Sequence, residues 1–402
     1  MTLEDKLKEI KKGAIDIINE RELEEKLRGD RPLNIKLGID STSPDIHLGH
    51  TIPLRKLRQF QELGHNINLL IGDYTALIGD PTGKSETRPL LTPEDIESNL
   101  ETYTEQVFKI LDPNKAKLVY NSEWLSNLST KDIIHLSAKY TVQQLLQRRD
   151  FKERIDSGKP LSTSELIYPL LMGYDSVCLN TDIEIGGTDQ LFNFMICREI
   201  QKAYGQQPEV IITLPLLEGV DGIKKMSKSL KNSIGLNNPP IEMYGKIMSI
   251  SDTLMWRYYE LLSDIQIDRL DKIRKEVYEQ KANPIEYKQQ LAKEIVVKYQ
   301  GVEAANIAED YFNRVHRKRA LPLELESSFI YCKKDQTVSL NYLLKQIGKA
   351  KSNSEARRLV EQRAIKINGQ VISDLNYTLN KTDGQVVQVG KMFFRELMFK
   401  DQ

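Results

Sequence analysis

The hydrophobic and polar positions of the chain fall into two kinds of pattern, short apolar runs and longer stretches with helical spacing. The apolar runs at residues 33–39 and 67–73 flank a helical stretch that begins near His47. This order predicts a strand, a helix and a second strand, which is the beginning of a parallel α/β sheet.

A second unit of the same kind is predicted farther along the chain. Apolar runs at residues 176–179 and 209–217 enclose a helical pattern over residues 191–204. Between the two units, residues 93–155 are rich in charge and have helical spacing, which predicts a helical insertion. The sequence therefore favours the α/β fold class, with a Rossmann-like parallel sheet and a helical insertion.

Three domains are predicted. Pro239 and Pro240 mark a boundary, because consecutive prolines interrupt helices and strands. Helical spacing dominates from residue 241 to about 320 and then gives way to short strands and a helix. The predicted divisions are an α/β domain at residues 1–238, an α-helical domain at 239–330 and a small α+β domain at 331–402.

Two local sequence signals support the prediction of an α+β domain at residues 331–402. Ser352 and Glu355 have the spacing of a capping box, which predicts the start of a helix. Asn368 and Gly369 stand between two apolar segments and predict a β-hairpin, since both accept the positive φ angles of a two-residue turn.

Charge adds an asymmetry to this picture. The chain of 402 residues is neutral overall, with 57 basic and 57 acidic side chains. Residues 331–402 carry 13 basic and 7 acidic side chains, which leaves 44 basic and 50 acidic ones in residues 1–330. A basic C-terminal domain is typical of nucleic-acid binding, although charge alone is equally compatible with an uneven surface.

Other features limit the class of protein. The three cysteines are widely spaced and form no C-x-x-C pair, so neither a disulfide framework nor a zinc site is indicated, and a cytoplasmic protein is expected. Residues 1–20 predict an amphipathic helix rather than a targeting peptide. No apolar run is long enough for a membrane span.

Two short motifs carry the candidate chemistry. Residues 47–50 form an H-x-G-H motif at a predicted helix start, where imidazoles and backbone N–H groups can bind phosphate and Gly49 leaves room for a nucleotide. Residues 224–229 read K-K-M-S-K-S, and Lys225 and Lys228 are suited to binding a triphosphate. Each motif alone is commonly a surface or capping feature, so the specificity comes from their pairing.

With these motifs the chain resembles the class I aminoacyl-tRNA synthetases, whose signatures are an H-x-G-H helix start and a K-M-S-K-S loop. Within that class it is most similar to the tyrosyl-tRNA synthetases of the bacterial type, over nearly its whole length. The similar segments include KLGIDST at residues 36–42, IGDPTGK at 78–84 and IGGTDQ at 185–190. The C-terminal domain resembles the S4-type RNA-binding module of those enzymes.

The resemblance implies a tyrosine–tRNA ligase. Such an enzyme forms tyrosyl-adenylate and pyrophosphate from L-tyrosine and ATP, and then transfers tyrosine to the 3′ end of tRNA(Tyr). It implies that Mg²⁺ binds through the nucleotide and not at a metal site of the protein. It also implies a homodimer, with the helical insertion in the interface, and neither a membrane nor a DNA partner.

The resemblance also implies roles for individual residues. Those implied in catalysis are Thr42, His47, His50, Lys225 and Lys228. Those implied in ATP binding are Asp40, Gly49, Gly187, Asp189 and Lys228. Those implied in tyrosine binding are Lys36, Asp80, Tyr168, Met172, Asp175 and Gln190. Those expected to contact RNA phosphates are Lys351, Arg357, Arg358, Arg363 and Lys366.

Asp175 is the residue expected to accept a hydrogen bond from the phenolic hydroxyl. Two other positions depart from the pattern of the family. Lys36 stands where several members have a tyrosine in the phenol pocket, and Met172 stands where a glutamine commonly helps bind the ammonium group. A thioether is a poor partner for an ammonium group, so Met172 predicts weaker tyrosine affinity or compensation by a neighbouring residue.

The residues leave three other functions open. One is activation of another amino acid, such as tryptophan, or a specialised ligase that uses an aminoacyl-adenylate. Another is an RNA-binding protein that keeps this scaffold without catalysis, against which the two intact motifs argue. The third is a small nucleotidylyltransferase, which shares H-x-G-H but needs no S4-like domain.

Overall fold

The computed structural model describes residues 2–29, 31–39, 46–82, 102–317, 326–333, 337–390 and 393–401. It contains two compact units, Met1–Asn306 and Ile307–Gln402. Among the described residues, no helix combines the length and the apolar character that crossing a membrane requires.

The first unit is built around a six-stranded sheet. Its strands are β1 (Asp16–Ile18), β2 (Asn34–Ile39), β3 (Asn66–Ile71), β4 (Ala116–Tyr120), β5 (Ile183–Gly187) and β6 (Val210–Leu214). They lie in the order β1-β6-β5-β2-β3-β4, and every neighbouring pair is parallel except β1 with β6. Strands β3 and β6 are almost entirely buried, which agrees with their continuous apolar sequences.

Helices precede, connect and follow these strands. Those described up to β6 are α1 (Leu3–Lys11), α2 (Glu20–Arg28), α3 (Leu48–Glu62), α4 (Ser122–Leu125), α5 (Thr130–Ser137), α6 (Val142–Leu145), α7 (Arg149–Asp156), α8 (Thr163–Cys178) and α9 (Leu191–Ala203). Single 3₁₀ turns cover Thr75–Leu77 and Thr188–Gln190. Helix α3 begins after His47, as predicted, and contacts β2, β3 and β5.

From Pro240 to Phe312 the chain is mainly helical. Its helices are α10 (Pro240–Ser249), α11 (Asp252–Leu262), α12 (Ile267–Tyr278), α13 (Pro284–Gln300) and α14 (Val302–Phe312), and a π-helical turn follows at Asn313–Arg317. Helices α10 to α13 fall within the first unit. A separate domain at residues 239–330 therefore stays a prediction.

After the end of α14, the described residues of the second unit form two small sheets and two helices. Its elements are β7 (Ser327–Cys332), β8 (Val338–Ser339), α15 (Leu340–Gln346), α16 (Asn353–Glu361), β9 (Ile365–Ile367), β10 (Gln370–Val371), β11 (Thr378–Leu379), β12 (Gln385–Val389) and β13 (Phe393–Asp401). One sheet has the order β10-β9-β12-β13-β7, and the other pairs β11 with β8. Both helices bury apolar side chains in a common core, for example Leu343 and Val360.

Both local predictions for this unit are confirmed. Ser352 caps the start of α16, where its hydroxyl accepts a hydrogen bond from the Glu355 N–H at 3.2 Å. The Glu355 carboxylate accepts from the N–H of Lys351 and not, as in a standard capping box, from that of Ser352. Asn368 and Gly369 have φ angles of 49° and 83° and connect the antiparallel strands β9 and β10.

Two predictions for the first unit are wrong. Residues 176–179 are not a strand: helix α8 extends to Cys178, and the strand that follows is β5. The pattern of β5 was hidden because Glu184, a charged residue, is buried at its centre. In addition, residues 93–155 are not helical throughout, because strand β4 lies within them and extends the parallel sheet. Helices α4 to α7 in the same range are helical as predicted. Residues 93–101 lie outside the described residues.

Candidate active site

A cavity of about 290 Å³ lies at the carboxyl ends of strands β2, β3 and β5. Ligands of parallel α/β sheets commonly bind at this edge. Its lining includes residues that were predicted separately for the two halves of the site, namely Asp80, Tyr168, Met172, Asp175, Gln190, His50 and Gly187. The fold thus brings the amino-acid side and the nucleotide side of the predicted site to one cavity.

Asp175 is the buried carboxylate of this cavity, with 2% of its surface exposed. Its Oδ1 accepts from Trp124 Nε1 at 2.7 Å, and its Oδ2 accepts from Asn121 Nδ2 at 3.1 Å. Burial raises the pKa of Asp175 to about 7, against the opposing effect of the Lys36 charge and of these two hydrogen bonds. A carboxylate held this way has further lone pairs with which to accept a hydrogen bond from a ligand.

A second polar group of the cavity is formed by Asp80 and Gln190. The Gln190 amide donates to Asp80 Oδ2 at 2.7 Å, and the Thr82 hydroxyl donates to Asp80 Oδ1 at 2.6 Å. Asn193 Nδ2 donates to Gln190 Oε1 at 2.8 Å and so fixes the orientation of that amide. An anion and an amide at this position suit the ammonium and carboxylate ends of an amino acid.

Lys36 does not line the cavity in the described structure. Its side chain is fully buried, and its Nζ lies 2.5 Å from Ser176 Oγ and 2.8 Å from Glu184 Oε1. Burial alone would lower the pKa of Lys36, but the nearby acidic groups, Glu184 first, raise it instead. Direct contact between Lys36 and a substrate therefore stays a prediction.

His47 and His50 stand together at the start of α3. Their rings are stacked with centroids 3.8 Å apart, and the His47 N–H donates to His50 Nδ1 at 3.2 Å. Burial lowers the pKa of His47 to about 2 and that of His50 to about 4, and the Lys228 charge adds to both effects. Both imidazoles are therefore neutral near pH 7, and a neutral imidazole can bind an anion only by donating a hydrogen bond.

Gly49 lies close under the His47 ring. A Cβ at residue 49 would lie 3.1 Å from two atoms of that ring. Any larger residue would displace the imidazole or narrow the approach to the helix N-terminus, where free N–H groups attract phosphate.

The K-M-S-K-S loop is held by hydrogen bonds at its centre, with Lys225 exposed and Lys228 half-buried. The Met226 side chain is buried, and its N–H donates to the Leu217 carbonyl at 2.7 Å. The Ser227 N–H donates to Asn232 Oδ1 at 2.8 Å, and Asn232 in turn donates to Asp221 Oδ2 at 2.9 Å. Because Lys225 is 52% exposed, its ammonium group is available to a ligand.

Asp189 and Gly187 connect this loop to the sheet. Gly187 ends β5, and a Cβ there would lie 2.6 Å from Asp189 Oδ1, so a larger residue would force this carboxylate to move. Asp189 Oδ2 in turn accepts from Lys225 Nζ at 3.0 Å. Asp40 and Thr42, also predicted for the nucleotide, lie outside the described residues.

The basic residues predicted for RNA belong to the second unit. Lys351, Arg357, Arg358 and Arg363 are exposed, and Lys366 is half-buried. Ala356 and Val360 of the same helix are buried, so α16 keeps its apolar side in the core and leaves its arginines to solvent. Arg357 also pairs with Glu361 at 3.0 Å.

Several functional residues were missed by sequence reasoning. Trp124 and Asn121 bind Asp175, Asn193 orients Gln190, and Asn232 organises the lysine loop. These residues belong to no recognisable motif and to no hydrophobic period. They lie in turns and at helix starts, and only the tertiary fold places them at the site. A single tryptophan within a predicted helical insertion carries no such signal.

Comparison with known proteins gives the family. The model of the tRNA synthetases of class I (W and Y) matches residues 28–317, and that of the S4 domain matches residues 338–385. The chain is 50% identical over 403 residues to the tyrosine–tRNA ligase of Geobacter sulfurreducens, spanning 99% of this chain and 100% of that one. It is 50% identical over 389 residues to the tyrosine–tRNA ligase of Haemophilus influenzae, spanning 96% and 95%.

Solved structures show the same fold at lower identity. The tyrosyl-tRNA synthetase of Archaeoglobus fulgidus, complexed with L-tyrosine, is 23% identical with a TM-score of 0.62, and the match covers 77% of this chain and 100% of that one. A tryptophanyl-tRNA synthetase from Encephalitozoon cuniculi, bound to tryptophan, is 18% identical with a TM-score of 0.59 and coverage of 76% and 91%.

Proposed function

We infer the chemistry of the site from one premise: the chain belongs to the class I tRNA synthetases for tryptophan and tyrosine. Its activity is that of a tyrosine–tRNA ligase, which activates tyrosine with ATP and transfers it to tRNA. The roles of individual residues, the metal, the dimer and the RNA surface described below are our proposals.

The buried carboxylate of Asp175 carries the assignment of the amino-acid pocket. A phenolic hydroxyl would donate to it beside the existing bonds from Trp124 and Asn121. Phenylalanine would leave this buried charged group with one bond fewer, which costs about 1–3 kcal/mol or more. Asp80, Gln190 and Tyr168 would bind the ammonium and carboxylate ends of tyrosine. Because Met172 is a poor partner for the ammonium group, Asp80 would be its main partner, and the hydrogen bond from Gln190 supports this by holding the Asp80 carboxylate in place.

Adenylate formation needs no general base, because the tyrosine carboxylate is already an anion and attacks the α-phosphorus of ATP in line. The tasks left to the protein are alignment of the two reactants and stabilisation of charge on the leaving pyrophosphate. His47 and His50 would serve as neutral donors to the phosphates, and Gly49 would leave room for the nucleotide. By family resemblance Thr42 would be a further phosphate contact. Lys228 would supply positive charge, and its effect on the pKa of both histidines supports its approach to them.

The bond between Lys225 and Asp189 connects ribose binding to phosphate binding. Hydroxyls of the ribose would donate hydrogen bonds to the Asp189 carboxylate, next to Gly187, in place of the Lys225 ammonium group. Lys225 would then lose its 3.0 Å partner and turn to the triphosphate. The exposed side chain of Lys225 has the freedom for this change.

The described residues fit Mg²⁺ that arrives with ATP. Near the two histidines they offer donors and cations for phosphate, and Asp189 is already paired with Lys225. One described cluster, Glu184, Cys197 and Glu209, has the spacing of a metal site, but the Lys36 ammonium already occupies the neighbourhood of Glu184. Bound Mg²⁺ would spread the negative charge of the phosphates while the protein's own lysines and imidazoles contact the phosphate oxygens.

Partner surfaces are proposed from exposure. The exposed arginines of α16 and the neighbouring Lys351, Arg363 and Lys366 would contact tRNA phosphates, which fits the S4 match. A homodimer is supported by apolar side chains that stand exposed on α5, α6, α7 and α9. They are Ile134 (64%), Val142 (57%), Ile155 (48%) and Met195 (40%). Light scattering coupled to size exclusion would test the dimer, with a 46 kDa species as the contradicting result.

The experiment that tests this pocket is ATP–pyrophosphate exchange with each of the twenty amino acids in turn. Exchange with tyrosine alone is expected. An indole N–H also donates to a carboxylate, so tryptophan is the informative competitor. Exchange with tryptophan and not tyrosine would overturn the proposed role of Asp175, and exchange with neither would overturn the proposed site.

A further inference from the structure

Beside the amino-acid pocket the sheet contains a buried charge network that the reaction does not use directly. Lys36 of β2 and Glu184 of β5 are register partners, and both side chains are fully buried. Glu209, which precedes β6, is buried next to them. Burial, and then the charge of Glu184, raise the pKa of Glu209 well above its usual value, so Glu209 keeps its proton and the charged pair is Lys36 with Glu184.

A fully buried ion pair of this kind costs desolvation free energy. Removing an ammonium group and a carboxylate from water costs several kcal/mol each, and two apolar side chains would often be at least as stable. The surrounding strand residues Ile35, Ile183 and Ile185 are buried and apolar. The network therefore calls for a role beyond stability.

The geometry connects the network to the pocket. Lys36 Nζ lies 2.5 Å from the hydroxyl of Ser176, the residue that follows Asp175 on α8. Of the groups that favour the charged form of Asp175, the Lys36 ammonium has a larger effect than the hydrogen bond of Trp124 or that of Asn121. The charge of Glu184 opposes it and has the smaller effect.

Several described titratable groups interact with Asp175 or with the Lys36 network. They are Lys36 on β2, Glu184 on β5, Cys197 on α9, Glu209 before β6 and Cys178 on α8 itself, and the cavity lining adds His50, Asp80, Tyr103 and Tyr168. The His50 imidazole is neutral near pH 7, and burial raises the pKa of Cys178 to about 11. Lys36 is thus the cation of this set near neutral pH.

We propose that Lys36 is a positioning residue for amino-acid selection, which acts through Asp175 by keeping its carboxylate ionised, and so makes the pocket require a hydroxylated ring. Glu184 holds the ammonium group in place and moderates its effect. This inference rests on the proposed role of Asp175 in tyrosine binding.

The sign of the pH dependence follows from the charges. Tyrosine binds to the ionised form of Asp175, so affinity is full above the pKa of Asp175 and falls about tenfold for each pH unit below it. Removing the Lys36 charge raises that pKa and moves the loss of affinity to higher pH. Removing the acidic groups while Lys36 stays charged moves the loss to lower pH.

Equilibrium dialysis of labelled tyrosine against the full-length protein, from pH 5.5 to 9.5 and without ATP, measures this directly. Lys36→Met should raise the midpoint by about one pH unit or more, since an opposite charge nearby typically shifts a carboxyl pKa that far. Tyrosine affinity at pH 7 would then fall about fivefold or more and recover at pH 9.5. The double variant Glu184→Gln/Glu209→Gln should lower the midpoint, with both acids replaced so that neither takes over the charge of the other.

A matched control is Lys56→Met. Lys56 is also buried, but it binds the backbone carbonyls of Ile10 and Lys12, away from the cavity. It should leave the midpoint unchanged. Competition by phenylalanine supplies a second readout, because a ligand without the hydroxyl should not lose affinity in Lys36→Met.

An unchanged midpoint in Lys36→Met, or midpoints that move in the same direction in both variants, would overturn the inference. Equal losses for tyrosine and phenylalanine would also overturn it, because they would indicate general damage to the pocket. Failure of the parent protein to bind tyrosine at any pH would instead contradict the proposed function.

Discussion

Replacing Trp124 by phenylalanine isolates one of the two hydrogen bonds that hold the buried carboxylate of Asp175. The indole Nε1 donates to Asp175 Oδ1 at 2.7 Å, and phenylalanine keeps an aromatic ring but has no donor. Because the bond favours the charged form, its loss raises the pKa of Asp175 from about 7. The rest of the pocket keeps its shape.

The size of the effect follows from the type of bond. A hydrogen bond to a charged group contributes about 1.5–3 kcal/mol, which corresponds to a pKa increase of about 1 to 2. At pH 7.5 the ionised fraction of Asp175 would fall from about three quarters to between about a quarter and a few per cent. We therefore expect kcat/KM for tyrosine at pH 7.5 to fall about 3- to 25-fold, and to recover most of this loss by pH 9.5.

The assay is tyrosine-dependent ATP–pyrophosphate exchange across this pH range. Trp256→Phe is the matched control, since Trp256 stacks on Tyr259 within α11 and is not one of the residues that line the cavity. A loss in Trp124→Phe that is equal at pH 7.5 and pH 9.5 would refute the reasoning, because it would show lost packing instead of a shifted ionisation. An unchanged rate at both pH values would refute it as well.

Three further changes test other parts of the account. Lys228→Ala should reduce adenylate formation about 100-fold in single-turnover assays, while tyrosine binding by dialysis stays unchanged. Replacing Arg357 and Arg358 by alanine should raise KM for tRNA in charging assays and flatten its dependence on salt, with amino-acid exchange unaffected. Burial alone would raise the pKa of Asp182, but the hydrogen bonds from Arg31 and Asn34 hold this pKa below its usual value. The ionised Asp182 therefore stabilises the folded protein near pH 7, and this stabilisation is lost as the pH falls below about 4. Asp182→Asn should thus cost about 1–2 kcal/mol in urea unfolding at pH 7, and this cost should shrink steadily as the pH is lowered below about 4.

Much of the fold could be predicted from the sequence because its strands are apolar and its helix starts carry recognisable caps. Strands β2, β3 and β6 appear where continuous apolar runs stand. Strand β5 was missed because Glu184, a buried charge, interrupts its apolar pattern, and its partner Lys36 is buried with it. The apolar run at residues 176–179 instead belongs largely to a helix, since a short run of that kind has no period of its own.

The candidate site was predictable only as far as its motifs reach. H-x-G-H and K-M-S-K-S identified the nucleotide side, and the family resemblance supplied Asp175 and Asp80. Trp124 lies 51 residues from Asp175 in sequence, and Asn232 stands just outside the K-M-S-K-S motif, so neither orienting side chain belongs to a motif. The neutral state of His47 and His50 was also beyond sequence reasoning, because it depends on burial and on the nearby Lys228 charge.

The central claim is that the Asp175 carboxylate selects tyrosine through its hydroxyl. The most direct measurement is the ratio of kcat/KM for tyrosine to that for phenylalanine in ATP–pyrophosphate exchange, in the parent protein and in Asp175→Ala. We predict that the ratio falls at least about tenfold in Asp175→Ala, since the charged acceptor of the hydroxyl is gone. A ratio that stays the same while both rates fall together would contradict the claim.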